Sequence, residues 1–361
     1  LVFDKNKNLL MDIYEPDGDT ATKRPVIVLA FPGAFIQGNR GDLYDICYFY
    51  AARGFVAVTI DYRLYDGPLF PIPSAAIMTD AAIKAMGDMK AAIRFLKQDA
   101  ATINLYKIDT NKVFVGGISS GAITANAVAY IDSADKEDSE TNLALIANGG
   151  LKGNSSSNFQ YSSSVFGVLS FSGAVLDTNV IDVNEPPIFM VHDDQDPTVA
   201  YGTGFASALG FPIVTVEGSS IMAIRGTNVG LNNELITIPN SANHVSYLKA
   251  GASVWEDSIF NASTKFLNNI ICPLQPQNIS EKESKNAISL YPNPTTGFVN
   301  IDLDKVIIKT VQLSGVDGRI IFKDASINSS KYRFNIVGNS GLYVVEITTQ
   351  NTKENFQIIK K

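Results

Sequence analysis

A serine hydroxyl is a weak nucleophile at neutral pH until a base takes its proton, and histidine is the side chain whose ordinary pKa suits that task. The sequence contains two histidines, His192 and His244, and one serine framed as such chemistry requires, in Gly117-Ile118-Ser119-Ser120-Gly121. Glycine at both flanks permits a tight, strained turn that lifts a serine hydroxyl above the end of a strand. The preceding run KVFVGG reads as that strand, and the following AITANAVAY reads as a helix of small residues. A glycine–serine turn of purely structural use is the competing reading, but it leaves unexplained why the other pieces follow in order.

His244 lies in the loop Asn240-Ser241-Ala242-Asn243-His244-Val245, directly after the strand-like run ELITIP. Loops at the carboxyl ends of parallel strands meet over one crevice, so His244 can reach Ser119 despite their separation in the chain. A base of this kind is oriented by a carboxylate, which also stabilises its charged form. Asp193, Asp194 and Asp196 all follow the strand-like run PIFMVH. Asp196 is preferred, because it stands before Pro197 and a helix expected to begin near Thr198. Asp194 is second and Asp193, which still belongs to the strand, is last. His192 precedes this acidic loop and is expected to shape it rather than to act as the base. The oxygen of a tetrahedral intermediate needs backbone N–H donors. Ser120 supplies one, and the loop FPGAFIQG at 31–38 supplies Gly33 and Ala34, whereas Pro32 has no N–H to give.

These groups must be held by a scaffold, and the first 272 residues alternate strand-like and helix-like runs in the manner of a mostly parallel sheet covered on both faces. The expected strands are LLMDIYE, VIVLAF, FVAVTIDY, KVFVGG, VFGVLSFSG, PIFMVHD and ELITIP. A helix is expected over 43–54, and a longer one carries Ile83, Met86, Met89, Ile93 and Leu96 at the spacing of a buried stripe. The closing helix runs up to Cys272. Residues 132–164, rich in Ser, Asn and Gly, read as a short helix and an irregular excursion. Residues 273–286 are polar and bounded by proline, as in a linker. Residues 287–361 alternate strands with Gly/Asn/Asp turns and form a small all-β module.

Composition excludes several classes. The chain of 361 residues has 29 Lys and Arg against 36 Asp and Glu, without a basic run, so nucleic acid is not an expected partner. Residues 287–361 hold 9 basic and 6 acidic side chains inside a chain of net charge -7, an asymmetry that itself suggests two modules. No stretch approaches the roughly 18 apolar residues of a spanning helix. Two Cys and two His cannot furnish a zinc site, and no metal or other cofactor is expected. No basic-then-apolar leader opens the sequence, so any targeting peptide is expected to have been removed or to lie outside it.

Residues 9–270 resemble a serine esterase of the α/β-hydrolase superfamily, close to the carboxylesterase and hormone-sensitive-lipase-like groups. The resemblance is carried by FPGAFIQG, VAVTIDYRL, GDMKAAIRFLK, VFVGGISSGA, HDDQDPTV and the NHVS loop. It implies an α/β-hydrolase fold, the chain order Ser119, Asp196, His244, and hydrolysis of carboxylic esters through an acyl-enzyme. It further implies a structural role for Asp88 and a bracing role for Tyr62 and Arg63 at the sheet edge. Phe31 and Pro32 depart from the His and Gly usual in the oxyanion motif, and Asp193 replaces the Gly usual after His192. In the tail, YPNPTTGFVNI, VQLSGVDGRIIF, SGLYVVEI and the final Lys360-Lys361 resemble the C-terminal sorting domain of the type IX (Por) secretion system, which implies that machinery as a partner and a secreted or outer-membrane surface location. A carbohydrate-binding module is the competing role for the tail. Export would permit a disulfide between Cys47 and Cys272, which the fold places on helices of one side.

Between VFGVLSFSG and PIFMVHD there are too few residues for an inserted helical cap. An open crevice bordered by Phe35/Ile36, 65–70 and 159–161 is therefore expected. With export, this points to short-acyl or aromatic esters such as acetyl or feruloyl groups on polysaccharide. Polyester or lipid ester hydrolysis, peptidase activity and a non-catalytic binding role are the alternatives. A peptidase would need subsites for a peptide backbone or its charged terminus, and neither a Glu-Glu pair nor a propeller is present.

Overall fold

The computed structural model describes residues 2–3, 7–135, 138–248, 253–272, 288–303, 306–315, 318–350 and 352–361. The chain divides into two compact units, Leu1–Pro273 and Leu274–Lys361. The linker expected over 273–286 lies outside the described residues.

The first unit is built in chain order from β1 (Met11–Tyr14), β2 (Arg24–Ala30), α1 (Tyr44–Ala51), β3 (Val56–Ile60), α2 (Ala75–Ala101), β4 (Ile108–Ile118), α3 (Ser120–Tyr130), α4 (Ser139–Ala147), β5 (Gly167–Phe171), β6 (Ala174–Val175), β7 (Ile188–Asp193), β8 (Thr203–Ala208), β9 (Phe211–Gly218), α5 (Ser219–Val229), β10 (Asn233–Ile238) and α6 (Ser253–Ile271). Seven strands form one sheet in the order β10-β7-β5-β4-β2-β3-β1. All run parallel except β1, which pairs antiparallel with β3. This is the α/β-hydrolase arrangement. Its inner strands bury both faces, so Val26 to Ala30 and Val56 to Val58 are continuous apolar runs instead of alternating ones.

The helices follow from equally local causes. Ser74 caps α2 by accepting a hydrogen bond from the Ile77 N–H, and the stripe Ile83, Met86, Met89, Ile93, Leu96 is buried. Helices α1 and α6 meet through Tyr50 and Ser263, whose hydroxyls lie 2.7 Å apart, and through the rings of Phe49 and Phe260. A second face of α2 carries three buried cations. Lys90 donates to the Leu151 carbonyl (3.1 Å), Arg94 donates twice to the Ser156 hydroxyl, and Lys97 donates to the Ser164 carbonyl (2.8 Å). They pin the excursion after α4 to the body of the unit. Burial pushes the Lys90 ammonium down to about 8, with Arg94 adding to the effect, and burial alone does the same to Lys97.

Two expectations are corrected, and the pairing of the two cysteines, open in the sequence, is answered. No helix begins near Thr198. The chain instead forms the hairpin of β8 and β9, which joins β6 in a separate antiparallel sheet ordered β8-β9-β6. The hairpin turns at Leu209 and Gly210, both at positive φ, as a two-residue turn of the type that matches strand twist requires. Cys47 and Cys272 form no disulfide: Cys47 is buried within the core while Cys272 is exposed. The 159–161 segment does not border the crevice. Phe159 lies against the Arg94 guanidinium at 5.1 Å, about 16 Å along α2 from Ile83 at the helical rise.

The second unit has two antiparallel sheets. In chain order its strands are β11 (Ile288–Tyr291), β12 (Phe298–Leu303), β13 (Ile308–Gly315), β14 (Ile320–Asp324), β15 (Lys331–Asn335), β16 (Gly341–Thr349) and β17 (Lys353–Lys360). The sheets are ordered β11-β12-β15 and β14-β13-β16-β17. Alternate residues such as Val299, Ile301, Leu303, Val345 and Ile347 turn inward to a core of the unit's own, which makes it sandwich-like. No helix among the described residues is long and apolar enough to cross a membrane.

Candidate active site

The turn between β4 and α3 places Ser119 at φ 56°, ψ -119°, a conformation that L-residues adopt only when their surroundings enforce it. The two flanking glycines show the enforcement. A Cβ on Gly121 would stand 2.0 Å from the Ala30 carbonyl oxygen, and one on Gly117 would stand 2.4 Å from the Gly121 carbonyl carbon. Helix α3 thus starts in backbone contact with β2, and only glycine admits that approach.

The structure brings Ser119, His244 and Asp196 together. The Ser119 hydroxyl donates to His244 Nε2 at 2.8 Å, and His244 Nδ1 donates to Asp196 Oδ2 at 2.7 Å. Asp196 is itself anchored through Oδ1, which accepts from the backbone N–H groups of Thr198 and Val199. Burial works to raise its carboxyl. Hydrogen bonds from His192 and His244 outweigh that and hold it down at about 2. It is therefore an anion at any working pH.

The other two acids of the loop hold the segment that carries the base. Asp194 accepts from the backbone N–H groups of Asn240 and Ser241, both at 2.9 Å, while Asp193 accepts from the Ser246 N–H at 3.0 Å and from its hydroxyl. His244 is thereby bracketed on both sides by carboxylates that do not touch it. His192 is fully buried. Its Nε2 donates to the Val199 carbonyl at 2.9 Å, with Asp196 Oδ2 at 3.4 Å, and its Nδ1 accepts from the Ser219 hydroxyl at 2.8 Å. It braces the acid's loop and does not reach Ser119.

On the oxyanion side, Ala34 and Ser120 line the same pocket as Ser119, while Gly33 turns the loop one residue earlier. The Gly33 carbonyl accepts from the N–H groups of Ile36 and Gln37, and a Cβ there would fall 2.0 Å from the Gln37 oxygen. The aromatic at position 31 has a defined use: its ring stacks on Tyr62 with centroids 4.2 Å apart, and the Tyr62 hydroxyl donates to the Phe31 carbonyl at 2.8 Å. Tyr62 therefore braces the oxyanion loop instead of the sheet edge. Arg63 pairs with Asp88 at 2.9 Å, and Ser155 donates to the same carboxylate.

The pocket beside Ser119 is lined mainly by apolar side chains, Phe35 of the expected border among them. Helix α3 contributes Ile123 and Ala127, α2 contributes Met78 and Ile83, and β9 contributes Val214 and Val216. The hairpin that forms one wall was missed in the sequence. Its signal was present in F-A-S-A-L-G-F-P-I-V-T-V, two short runs joined by a Leu-Gly turn, of which Ala206, Ser207, Ala208, Ile213, Val214 and Val216 line the pocket.

Residues 11–175 match the family model described as BD-FAE, and residues 289–361 match the model described as a secretion system C-terminal sorting domain. No curated protein matches the chain. Among solved structures, the apo form of Thermogutta terrifontis esterase 2 is 20% identical, with a TM-score of 0.55 over 74% of this chain and 91% of that one. The native form of a thermophilic esterase from the same organism, Est2, is 21% identical, with a TM-score of 0.54 over 76% and 91%. At such identities the likeness establishes a shared fold.

Proposed function

Because the chain carries an α/β-hydrolase-family esterase domain followed by a secretion-system C-terminal sorting domain, we propose that it is an exported serine hydrolase that cleaves carboxylic esters through an acyl-enzyme on Ser119. The single observation that carries the reading is the continuous relay from Ser119 through His244 to Asp196 at the mouth of an apolar pocket. In the first step His244 Nε2 accepts the Ser119 proton as Oγ bonds to the ester carbonyl carbon. The N–H groups of Ser120, Gly33 and Ala34 receive the developing oxyanion. His244 then returns the proton to the departing alcohol, and water repeats the sequence to release the acid. No step calls for a metal or an organic cofactor.

The apolar lining supports an acyl portion without charge, aliphatic or aromatic. The sorting domain supports delivery by the type IX machinery to the cell surface or the medium, where polymer-borne esters such as feruloylated polysaccharide and aliphatic polyesters are encountered. An acetyl group alone would leave most of the cavity wall without contact. The test is labelling with a fluorophosphonate followed by peptide mapping, beside turnover of p-nitrophenyl butyrate. The adduct belongs on Ser119, and full activity in protein that resists labelling there would overturn the assignment.

A further inference from the structure

The cavity is long as well as apolar, and its length selects among acyl groups. Ser119, Ile123, Ala127 and Ile131 all line it and follow one another at four-residue spacing down α3, so a single helix face forms its floor. At about 1.5 Å of rise per residue the wall from Ser119 to Ile131 runs about 18 Å. An extended chain covers about 3.6 Å in three backbone bonds, close to 1.2 Å per bond, so the wall matches about fifteen bonds; about three belong to the Ser119 side chain and the ester link, which leaves room for an acyl chain of about twelve carbons. A feruloyl group would end near Ala127.

The chemistry of the far end agrees. Thr141 stands there, but its hydroxyl donates to Asp138 at 2.7 Å and is already engaged. Asp177 is the charged residue of the lining, and its carboxylate accepts from the Asn179 N–H at 2.8 Å, capping its own turn. Val180 and Ile131 close the remainder. The Thr141 hydroxyl and the Asp177 carboxylate keep oxygen lone pairs that a phenolic hydroxyl can meet, whereas no cation of the lining stands there for a terminal carboxylate, and methylene groups would meet aliphatic side chains along most of the wall.

We infer that the pocket between α3, α2 and the β8–β9 hairpin is an acyl-chain channel, and that the preferred substrates are esters of unbranched aliphatic acids of about eight to twelve carbons. The inference rests on the esterase reading of the same site. Each methylene that reaches apolar wall is worth up to about fourfold in kcat/KM.

The test is a series of p-nitrophenyl esters from C2 to C14, each below its aggregation limit. With wild-type protein, kcat/KM should climb at least about tenfold from C4 to C10 and fall beyond about C12, as the channel runs out. Ala127→Trp, which would fill the channel about 12 Å from Ser119 at the helical rise, should reverse the C10 to C4 ratio. A maximum at C2 to C4 with a tenfold loss by C8 in wild-type protein would overturn the channel and leave the esterase reading standing. Absence of turnover across the whole series, together with an unlabelled Ser119, would remove both. Since the wild-type profile decides by itself, a failure of the tryptophan variant to fold does not rescue the inference.

Discussion

The buried ammonium of Lys90 should cost the first unit stability at neutral pH, and Lys90→Met should show how much. Burial first, and the neighbouring Arg94 second, take the group from 10.5 down to about 8. A displacement of that size corresponds to about 3 kcal/mol against the charged folded form. Methionine keeps the stem packed but removes the donor to the Leu151 carbonyl, which costs about 1 kcal/mol. The variant should therefore be more stable near pH 7 by about 2 kcal/mol, which for a unit of this size is about 4 to 8 °C in Tm. The sign reverses with alkali. Below about 8 the lysine is protonated folded and unfolded alike, and the cost is present in full. Between about 8 and 10.5 the unfolded chain binds the extra proton, so wild-type stability rises by about 1.4 kcal/mol per pH unit relative to the variant. The two curves should cross before pH 10.5, beyond which the wild type keeps its hydrogen bond and leads. Trp255, the sole tryptophan, belongs to the first unit, so urea titrations of the full chain followed by its fluorescence report on that unit. A stability difference constant from pH 7 to 10, or a variant less stable at pH 7, would refute the reasoning.

Replacing His244 by Ala should remove nearly all turnover, by about three orders of magnitude or more, with an unchanged melt, because Ser119 loses its base. His192→Ala should lower the melting temperature and cost much less turnover, and equal losses at unchanged stability would make His192 part of the machinery. A chain ending near residue 275 should retain ester turnover and its own thermal transition, as the second unit has a separate core; loss of both on truncation would give the tail a structural role. Short-acyl p-nitrophenyl esters should exceed matched aminoacyl anilides in kcat/KM by at least about 100-fold, and comparable rates would favour a peptidase.

The parallel core was legible in the sequence because strands buried on both faces read as unbroken apolar runs, and Val26 to Ala30 needs no context to be recognised. The relay was legible because a strained turn leaves a local record in Gly117 and Gly121, and because strand-end loops converge. Selecting Asp196 over its two neighbours drew on loop position alone; the structure adds that Asp193 and Asp194 are occupied by the backbone of 240–246. What stayed hidden depends on partners far along the chain. The ribbon 203–218 mixes Gly, Ala and Ser with its apolar residues and follows Asp-Pro, a pair that suits a helix start equally well. Its pairing with Ala174-Val175 is what stabilises it as sheet, and no window of sequence contains both. The depth of the pocket was invisible for the same reason.

The ribbon is rooted and tipped very differently. At its root, Asp196 accepts from Thr198 and Val199, and His192 donates to the Val199 carbonyl, so the same atoms hold the relay and the start of the pocket wall. At its tip, Leu209 and Gly210 are exposed and turn back with no neighbour to constrain Gly210. Inheritance should treat the two ends unequally. Leu209 and Gly210 belong neither to the pocket lining nor to the proton path, so lengthening or shortening the tip leaves both in place, whereas any change at the root is tried by selection for catalysis first. Insertions would thus accumulate first at the far end of the hairpin, where an exposed turn admits them at no cost to the relay.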